Sequence, residues 1–316
     1  MTNVLITGSN SGFGRLAALS LAREGHRVIA TMRTVSKGDD LRRLAGEEGL
    51  AVEIRQLDVT DLASVEACLA DPNEIDVLVN NAGFEVQGAI EQVDDVLMQR
   101  QLETNVMGPL RTMRAVLPAW SERGSGVIVN VSSIAGRVAP PYSGAYAASK
   151  HALEALTESL HFEVSHLGLR VHLIEPGRFL TNFHDNIVFP SVWTGSPHED
   201  RALAFRESLT SLDGDGPPAD PQTVADAIAR AATDPSTPFR TLVGADAVMI
   251  DELKTSMSFE DFESTIRTAL DWHDCPGHQR SPIDHLSRGA GGNRNTETCP
   301  GRPSGPLAPV DSRMCV

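Results

Sequence analysis

Asn3-Val4-Leu5-Ile6-Thr7-Gly8-Ser9-Asn10-Ser11-Gly12-Phe13-Gly14 is the stretch that decides the fold. Residues 3–7 form a short apolar run that reads as a buried strand, and Leu16, Leu19 and Ala22 then recur at the spacing of an amphipathic helix. Strand, glycine-rich turn and helix, in that order, make a phosphate cradle. Gly8 permits a tight turn, Gly12 lets the backbone approach a pyrophosphate, and Gly14 lets helix and strand pack closely. The helix N-terminus adds free N–H groups and a partial positive charge. The spacing is Gly-x-x-x-Gly-x-Gly, not the commoner Gly-x-Gly-x-x-Gly of dinucleotide sites.

Further along the chain the same unit repeats. Apolar runs at 28–31, 52–57, 77–79, 127–131, 171–174 and 241–243 read as buried parallel strands. Helical stretches lie near 13–24, 39–48, 61–70, 93–119, 143–166 and 221–232. This alternation predicts an α/β fold, one doubly wound parallel sheet with helices on both faces, in a single domain over residues 1–276. Ile250, Leu253, Met257, Phe262, Ile266 and Leu270 have helical spacing and predict helix packed on the core. Gly and Pro supply 11 of the 40 residues in 277–316, while Leu, Ile, Val and Phe supply five. So little apolar surface does not offset the entropy of ordering, and a disordered tail is expected there.

The formal charge of −15, from 27 basic and 42 acidic side chains, argues against a nucleic-acid partner. Cys68, Cys275, Cys299 and Cys315 form no C-x-x-C pair and no metal-ligand cluster, so neither a metal site nor a disulfide framework is expected. The sequence has no apolar run of about 18 residues and enters a strand almost at once, so the expectation is no membrane span, no leader and a cytoplasmic location.

The chemistry is written in Tyr146-Ala147-Ala148-Ser149-Lys150. On a helix, residues four apart stand one above the other on the same face. A phenol, with its pKa near 10, is a poor acid or base at neutral pH, and an ammonium one turn away is expected to lower that value. Carbonyl–alcohol interconversion needs an acid/base tuned in this way.

With these motifs in this order, the chain resembles the short-chain dehydrogenases/reductases over about residues 2–245, in the single-domain subgroup with a Rossmann-type sheet. Thr7–Gly14 is similar to the family's cofactor turn, so the resemblance places Gly8, Ser9, Asn10, Ser11, Gly12, Phe13 and Gly14 at the cofactor. Asp58 and Val59, in Leu57-Asp58-Val59-Thr60, match the acid beside the adenine and its neighbour. Asn81, Ala82 and Gly83, in Asn80-Asn81-Ala82-Gly83, match the segment that steadies the central sheet and lines the cofactor. Asn105 matches the active-site asparagine, which would hold a water linking Lys150 to solvent. Ser133, thirteen residues before Tyr146, matches the catalytic serine. Pro176, Gly177 and Thr181 match the motif that holds the nicotinamide. The resemblance implies that Tyr146 exchanges a proton with the substrate oxygen, that Ser133 orients that oxygen, and that Lys150 also bonds the nicotinamide ribose. A homodimer or homotetramer acting on a small-molecule carbonyl or alcohol is implied too.

Cofactor choice turns on Thr31-Met32-Arg33 at the end of the second strand. An NAD enzyme usually places a carboxylate here for the ribose hydroxyl, whereas a guanidinium suits a 2′-phosphate. Arg33, with Ser9 or Asn10 adding a contact, points to NADP(H). A plain solvated cation is the alternative for Arg33, and NAD(H) stays open with it. Residues 179–212 fall where the family keeps its substrate lid. Phe179, Phe183, Ile187, Val188, Phe189, Val192 and Trp193 suit an apolar substrate there, such as a steroid-like, retinoid-like or fatty molecule, and equally suit ordinary packing or a subunit contact. A weak similarity to the hydroxysteroid and retinol dehydrogenase branches supports the first. The competing reading is a non-catalytic NADP(H)-binding protein that senses redox state; loss of Tyr146 or Lys150 would have favoured it, and both are present.

Overall fold

The structure, a computed structural model, describes residues 1–209 and 218–272. The tail expected at 277–316 and the last residues of the expected lid, 210–212, lie outside them.

β1 (Asn3–Ile6), β2 (Arg27–Met32), β3 (Val52–Gln56), β4 (Val77–Asn80), β5 (Gly126–Val131), β6 (Leu169–Pro176) and β7 (Arg240–Val243) form one parallel sheet in the order β3-β2-β1-β4-β5-β6-β7. The helices are α1 (Gly12–Arg23), α2 (Asp39–Glu48), α3 (Leu62–Cys68), α4 (Asp95–Leu102), α5 (Gly108–Arg123), α6 (Gly144–Val164), α7 (Glu199–Leu209), α8 (Gln222–Thr233), α9 (Ala245–Ser256) and α10 (Phe259–Ala269). Side chains alternate across each strand, and both faces are buried. Val4, Ile6, Val28, Ala30, Val77 and Val79 join Ala17 and Leu21 of α1 and Val224 and Ile228 of α8 in one core. Leu5, Ile29, Leu78 and Ile128 join Met113, Val116 and Trp120 of α5 and Leu160 and Val164 of α6 in the other. Trp120 is fully buried, its Nε1–H donates to the Pro72 carbonyl at 3.1 Å, and its ring fills the space a side chain on Gly126 would need.

Buried amides tie the sheet to the helices beneath the site. Asn80 Nδ2 donates to Asn130 Oδ1 at 2.8 Å, the Thr112 hydroxyl donates to Asn80 Oδ1 at 2.6 Å, and Asn130 Nδ2 donates to Thr157 Oγ1 at 2.9 Å. The network is satisfied within itself and fixes α5 and α6 against β4 and β5.

Two expectations are corrected. The single helix expected at 93–119 is broken: α4, capped by Asp94 on the Leu97 N–H at 2.8 Å, runs into a π-helical turn, Glu103–Met107, before α5 begins. Pro109 has no N–H to give the ladder at this point, which removes one bond where the helix widens. The stretch 248–272 is two helices, α10 being capped by the Ser258 hydroxyl on the Asp261 N–H at 3.2 Å. It packs less deeply than expected. Leu270 is buried, whereas Ile250, Leu253, Met257, Phe262 and Ile266 stay partly exposed.

Candidate active site

β1 lies between β2 and β4, so the chain reverses its winding direction between β1 and β4, and a crevice opens above the strand ends. The cleft there has a volume of about 700 Å³. Its glycine turn is braced by the residues just after β4. Thr7 Oγ1 accepts the N–H groups of Asn81 and Ala82, both at 3.0 Å, and Asn81 Nδ2 donates to the carbonyls of Thr7 and Gly8 at 2.9 and 3.0 Å. Gly8 has φ +69°, and a Cβ there would lie 2.8 Å from Ala82 Cα. Gly12, at φ +56°, faces Thr181 across the cleft with space to spare. Gly14 lies outside the cleft, where a Cβ would meet Asn81 Nδ2 at 2.4 Å; its task is the close packing of turn and helix. The first turn of α1 carries no acidic side chain, so its unpaired N–H groups keep their attraction for an anion.

Asn10, Ser11, Phe13, Arg33, Asp58, Val59, Asn81, Ala82, Gly83, Pro176, Gly177 and Thr181 line the cleft. Ser9 does not. It is fully buried, its hydroxyl donates to the Ile6 carbonyl at 2.9 Å and its N–H to Thr31 at 2.9 Å, because it continues the sheet's bonding beyond β1. Asp58 Oδ1 is engaged by the Thr60 N–H and hydroxyl at 3.0 and 2.7 Å. Gly177 leaves room for Asp246, whose carboxylate accepts the Arg178 N–H at 2.6 Å. Phe179 packs edge-on against Phe13 at 5.7 Å.

Tyr146 and Lys150 reach the same cleft from α6, and Ser133 reaches it from the turn after β5. Ser133 Oγ accepts the Ala135 N–H at 3.1 Å and is also hydrogen-bonded to the Tyr146 hydroxyl. Burial pushes the Tyr146 phenol well above its ordinary range, the Glu85 charge adds to this, and the Ser133 hydroxyl opposes it. The expected lowering by Lys150 is not found. Lys150 Nζ stands 5.7 Å from the centre of the Tyr146 ring and donates to the Val131 carbonyl at 2.8 Å. Burial lowers the Lys150 pKa to about 8, with Glu154 one turn further along α6 opposing. Asn105 lies in the π-helical turn, outside the cleft lining. Its Nδ2 donates to the Phe84 carbonyl at 3.0 Å and to Ser149 Oγ at 3.1 Å, and its Oδ1 accepts the Phe84 N–H at 3.2 Å, so it braces the loop after β4 against α6.

Of the apolar lid residues, Phe179 and Phe183 face the cleft. Ile187, Val188, Phe189, Val192 and Trp193 do not; Val188 pairs with Val86, and Phe189 stacks on Trp193, which meets Tyr142. Polar residues beyond those expected also face the cleft: Thr34, Lys37, Glu85, Arg178, His184 and Asn186. Lys37 had a signal, a second cation one turn beyond Arg33, whereas Glu85, His184 and Asn186 come from loops with no local pattern. Among the described residues no cluster of His, Cys, Asp or Glu is arranged to hold a metal ion, and no helix is long and apolar enough to cross a membrane.

The model of the short chain dehydrogenase family matches residues 2–189. A 3-ketodihydrosphingosine reductase of Bacteroides thetaiotaomicron is 35% identical over 243 residues, covering 76% of this chain and 87% of that protein. The crystal structure of a short-chain dehydrogenase from Streptomyces avermitilis is 35% identical with a TM-score of 0.68, covering 84% of this chain and 98% of its own. A variant of actinorhodin polyketide ketoreductase, solved with NADPH, is 29% identical with a TM-score of 0.65, covering 76% of this chain and 94% of its own.

Proposed function

The chain belongs to the short-chain dehydrogenase family of oxidoreductases, and on that premise we propose that it interconverts a ketone or aldehyde and an alcohol with NADP(H), Tyr146 serving as acid/base. The observation that carries this reading is that one cleft holds the Tyr146 phenol, the Ser133 hydroxyl and Lys150 together with the glycine turn and, at the end of β2, the cations Arg33 and Lys37. Arg33 follows β2 and Ser133 follows β5, three strand spacings or about 14 Å apart along the sheet edge. An extended dinucleotide spans such a distance.

The residues present fit NADP(H). A side chain on Gly8 would close the turn against Ala82, and one on Gly12 would project toward Thr181. No carboxylate stands at the end of β2, where Thr31 is buried and bonded to the Ile6 carbonyl at 3.0 Å. Arg33 and Lys37 are exposed there, and paired cations suit a 2′-phosphate. The α1 N-terminus would hold the pyrophosphate, Asp58 and Val59 the adenine side, and Lys150, Pro176, Gly177 and Thr181 the nicotinamide side. When bound, the nicotinamide supplies or accepts the hydride.

Ser133 Oγ, held in place by the Ala135 N–H, donates to the substrate oxygen and fixes its direction. Tyr146 Oη gives that oxygen its proton in reduction and takes it back in oxidation. The raised phenol pKa keeps the proton on Oη at neutral pH, so the site stands ready as a proton donor to a carbonyl. Lys150, held by Val131, resupplies Oη and is itself poised to titrate near pH 8. Phe183, 5.9 Å from the Tyr146 ring, helps keep water from the reacting centre. The relative named as a 3-ketodihydrosphingosine reductase supports a keto substrate. A panel of ketones, aldehydes and alcohols followed by nicotinamide absorbance tests the reading. Turnover with NADPH exceeding that with NADH supports it, and a preference for NADH overturns the cofactor assignment.

A further inference from the structure

Beyond its charge acting on Tyr146, one carboxylate in the cleft has no task in this chemistry. Glu85 lies in the loop after β4 and faces the cleft alongside Ser133, Tyr146 and Phe183. Its backbone is fixed by the lid: the Glu85 carbonyl accepts the Val188 N–H at 2.9 Å, and the Gln87 N–H donates to the Val188 carbonyl at 3.0 Å. Its side chain is fixed by the buried Ser143, whose hydroxyl donates to Oε1 at 2.6 Å. Ser143 stands at the start of α6, three residues before Tyr146, so the carboxylate is anchored at the end of the helix that carries the phenol. Burial raises the Glu85 pKa, and Arg206 on α7, which donates to Gln87 Oε1 at 3.1 Å, works in the opposite sense.

A carboxylate is acceptor-only, with about four lone-pair sites, and keeping it in a partly dry cleft is costly unless donors meet it. Ser143 supplies one. An ammonium supplies several and cancels the charge, whereas a hydroxyl supplies one and leaves the charge in place. We propose that Glu85 is a specificity residue that binds a protonated amino group on the carbon next to the reacting one, so that the substrates are amino ketones and 1,2-amino alcohols with an apolar remainder. This rests on the oxidoreductase reading of the same site. In oxidation, the carbinol C–H bond breaks with its electron pair going to NADP⁺ as hydride, the hydroxyl proton goes to Tyr146 Oη while Oη passes its own proton by way of Lys150 to solvent, the C=O bond forms, and the amine is unchanged. Phe183 and Phe84 are placed to cover the apolar part.

The test compares oxidation of 1-amino-2-octanol, 1,2-octanediol and 2-octanol by the whole protein with NADP⁺. In the wild type kcat/KM should fall in that order, with the amino alcohol preferred over 2-octanol by about 100-fold or more, as expected where a polar group in the site is left unpaired by the poorer substrate. Glu85→Gln keeps the shape and an acceptor for Ser143 but removes the charge. It should reduce the amine preference, read as the ratio of kcat/KM for the amino alcohol to that for 2-octanol, by about tenfold or more, a ratio in which any effect of the lost charge on Tyr146 common to both substrates cancels. Glu85→Leu should abolish the preference. A wild type that oxidises 2-octanol or the diol as well as the amino alcohol overturns the assignment, as does Glu85→Gln with the preference intact; either leaves the oxidoreductase reading standing, because turnover has been observed. No oxidation of any of the three by the wild type overturns the assignment too, and the oxidoreductase reading is then judged on the carbonyl panel.

Discussion

Replacing Lys150 by Met should abolish function and yet stabilise the protein at neutral pH. The ammonium is buried and its pKa falls from 10.5 to about 8 on folding. That depression costs about 3 kcal/mol whenever both the folded and unfolded protein carry the proton, which is below about pH 8. Met has a similar length and no charge to desolvate. Against this stands the lost bond to the Val131 carbonyl, 2.8 Å away, worth about 1–3 kcal/mol if the carbonyl is left unpaired. The net effect at neutral pH is a gain of about 0–2 kcal/mol. The sign of the pH dependence is more decisive than this sum. Between about 8 and 10.5 the unfolded chain holds a proton at Lys150 that the folded one has lost, so wild-type stability from this group rises with pH. The advantage of Lys150→Met should therefore shrink by about 2 kcal/mol between about pH 6.5 and about pH 9.5. Reversible urea unfolding of both proteins at the two pH values measures it. A stability difference that does not change with pH, or that grows in favour of the variant, refutes the reasoning.

Gly8→Ala should cost about 1–2 kcal/mol for the left-handed backbone alone. The contact of its Cβ with Ala82 should also weaken NADPH binding, read by fluorescence titration. Arg33→Ala and Lys37→Ala should each weaken NADPH binding by about tenfold while leaving NADH binding nearly unchanged, so the ratio of the two dissociation constants checks the phosphate contact. Trp120→Ala should destabilise the fold by about 3–5 kcal/mol through the cavity it opens, a loss visible as a lower denaturation midpoint.

The cradle is legible in the sequence because its requirements are local. Gly8 and Gly12 sit at positive φ, and the turn between a strand and a helix leaves few other solutions. Tyr146 and Lys150 are legible for the same reason, since helical spacing alone puts them together. The place of Ser9 is not, because its surroundings are set by β2, which supplies the carbonyl that takes its N–H. For the Tyr146 phenol, local spacing gives the wrong sign of the shift. One helical turn brings Lys150 close, but burial and Glu85, which arrives from a loop after another strand, decide the outcome. The lid shows a similar limit. Its apolar residues are visible in the sequence, yet which of them face the cleft depends on the pairing of Val86 with Val188 across a hundred residues of chain. Polar cleft residues from loops, such as Glu85 and His184, leave no periodic trace at all.

The role of Tyr146 is tested most directly by measuring, in one preparation, the rate of carbonyl-dependent NADPH oxidation and the NADPH dissociation constant for the wild type and for Tyr146→Phe. Removing one hydroxyl that serves the reacting oxygen should lower the rate by about 10²–10⁴-fold and leave NADPH affinity nearly unchanged. A variant that keeps more than about a tenth of the wild-type rate would contradict Tyr146 as the acid/base.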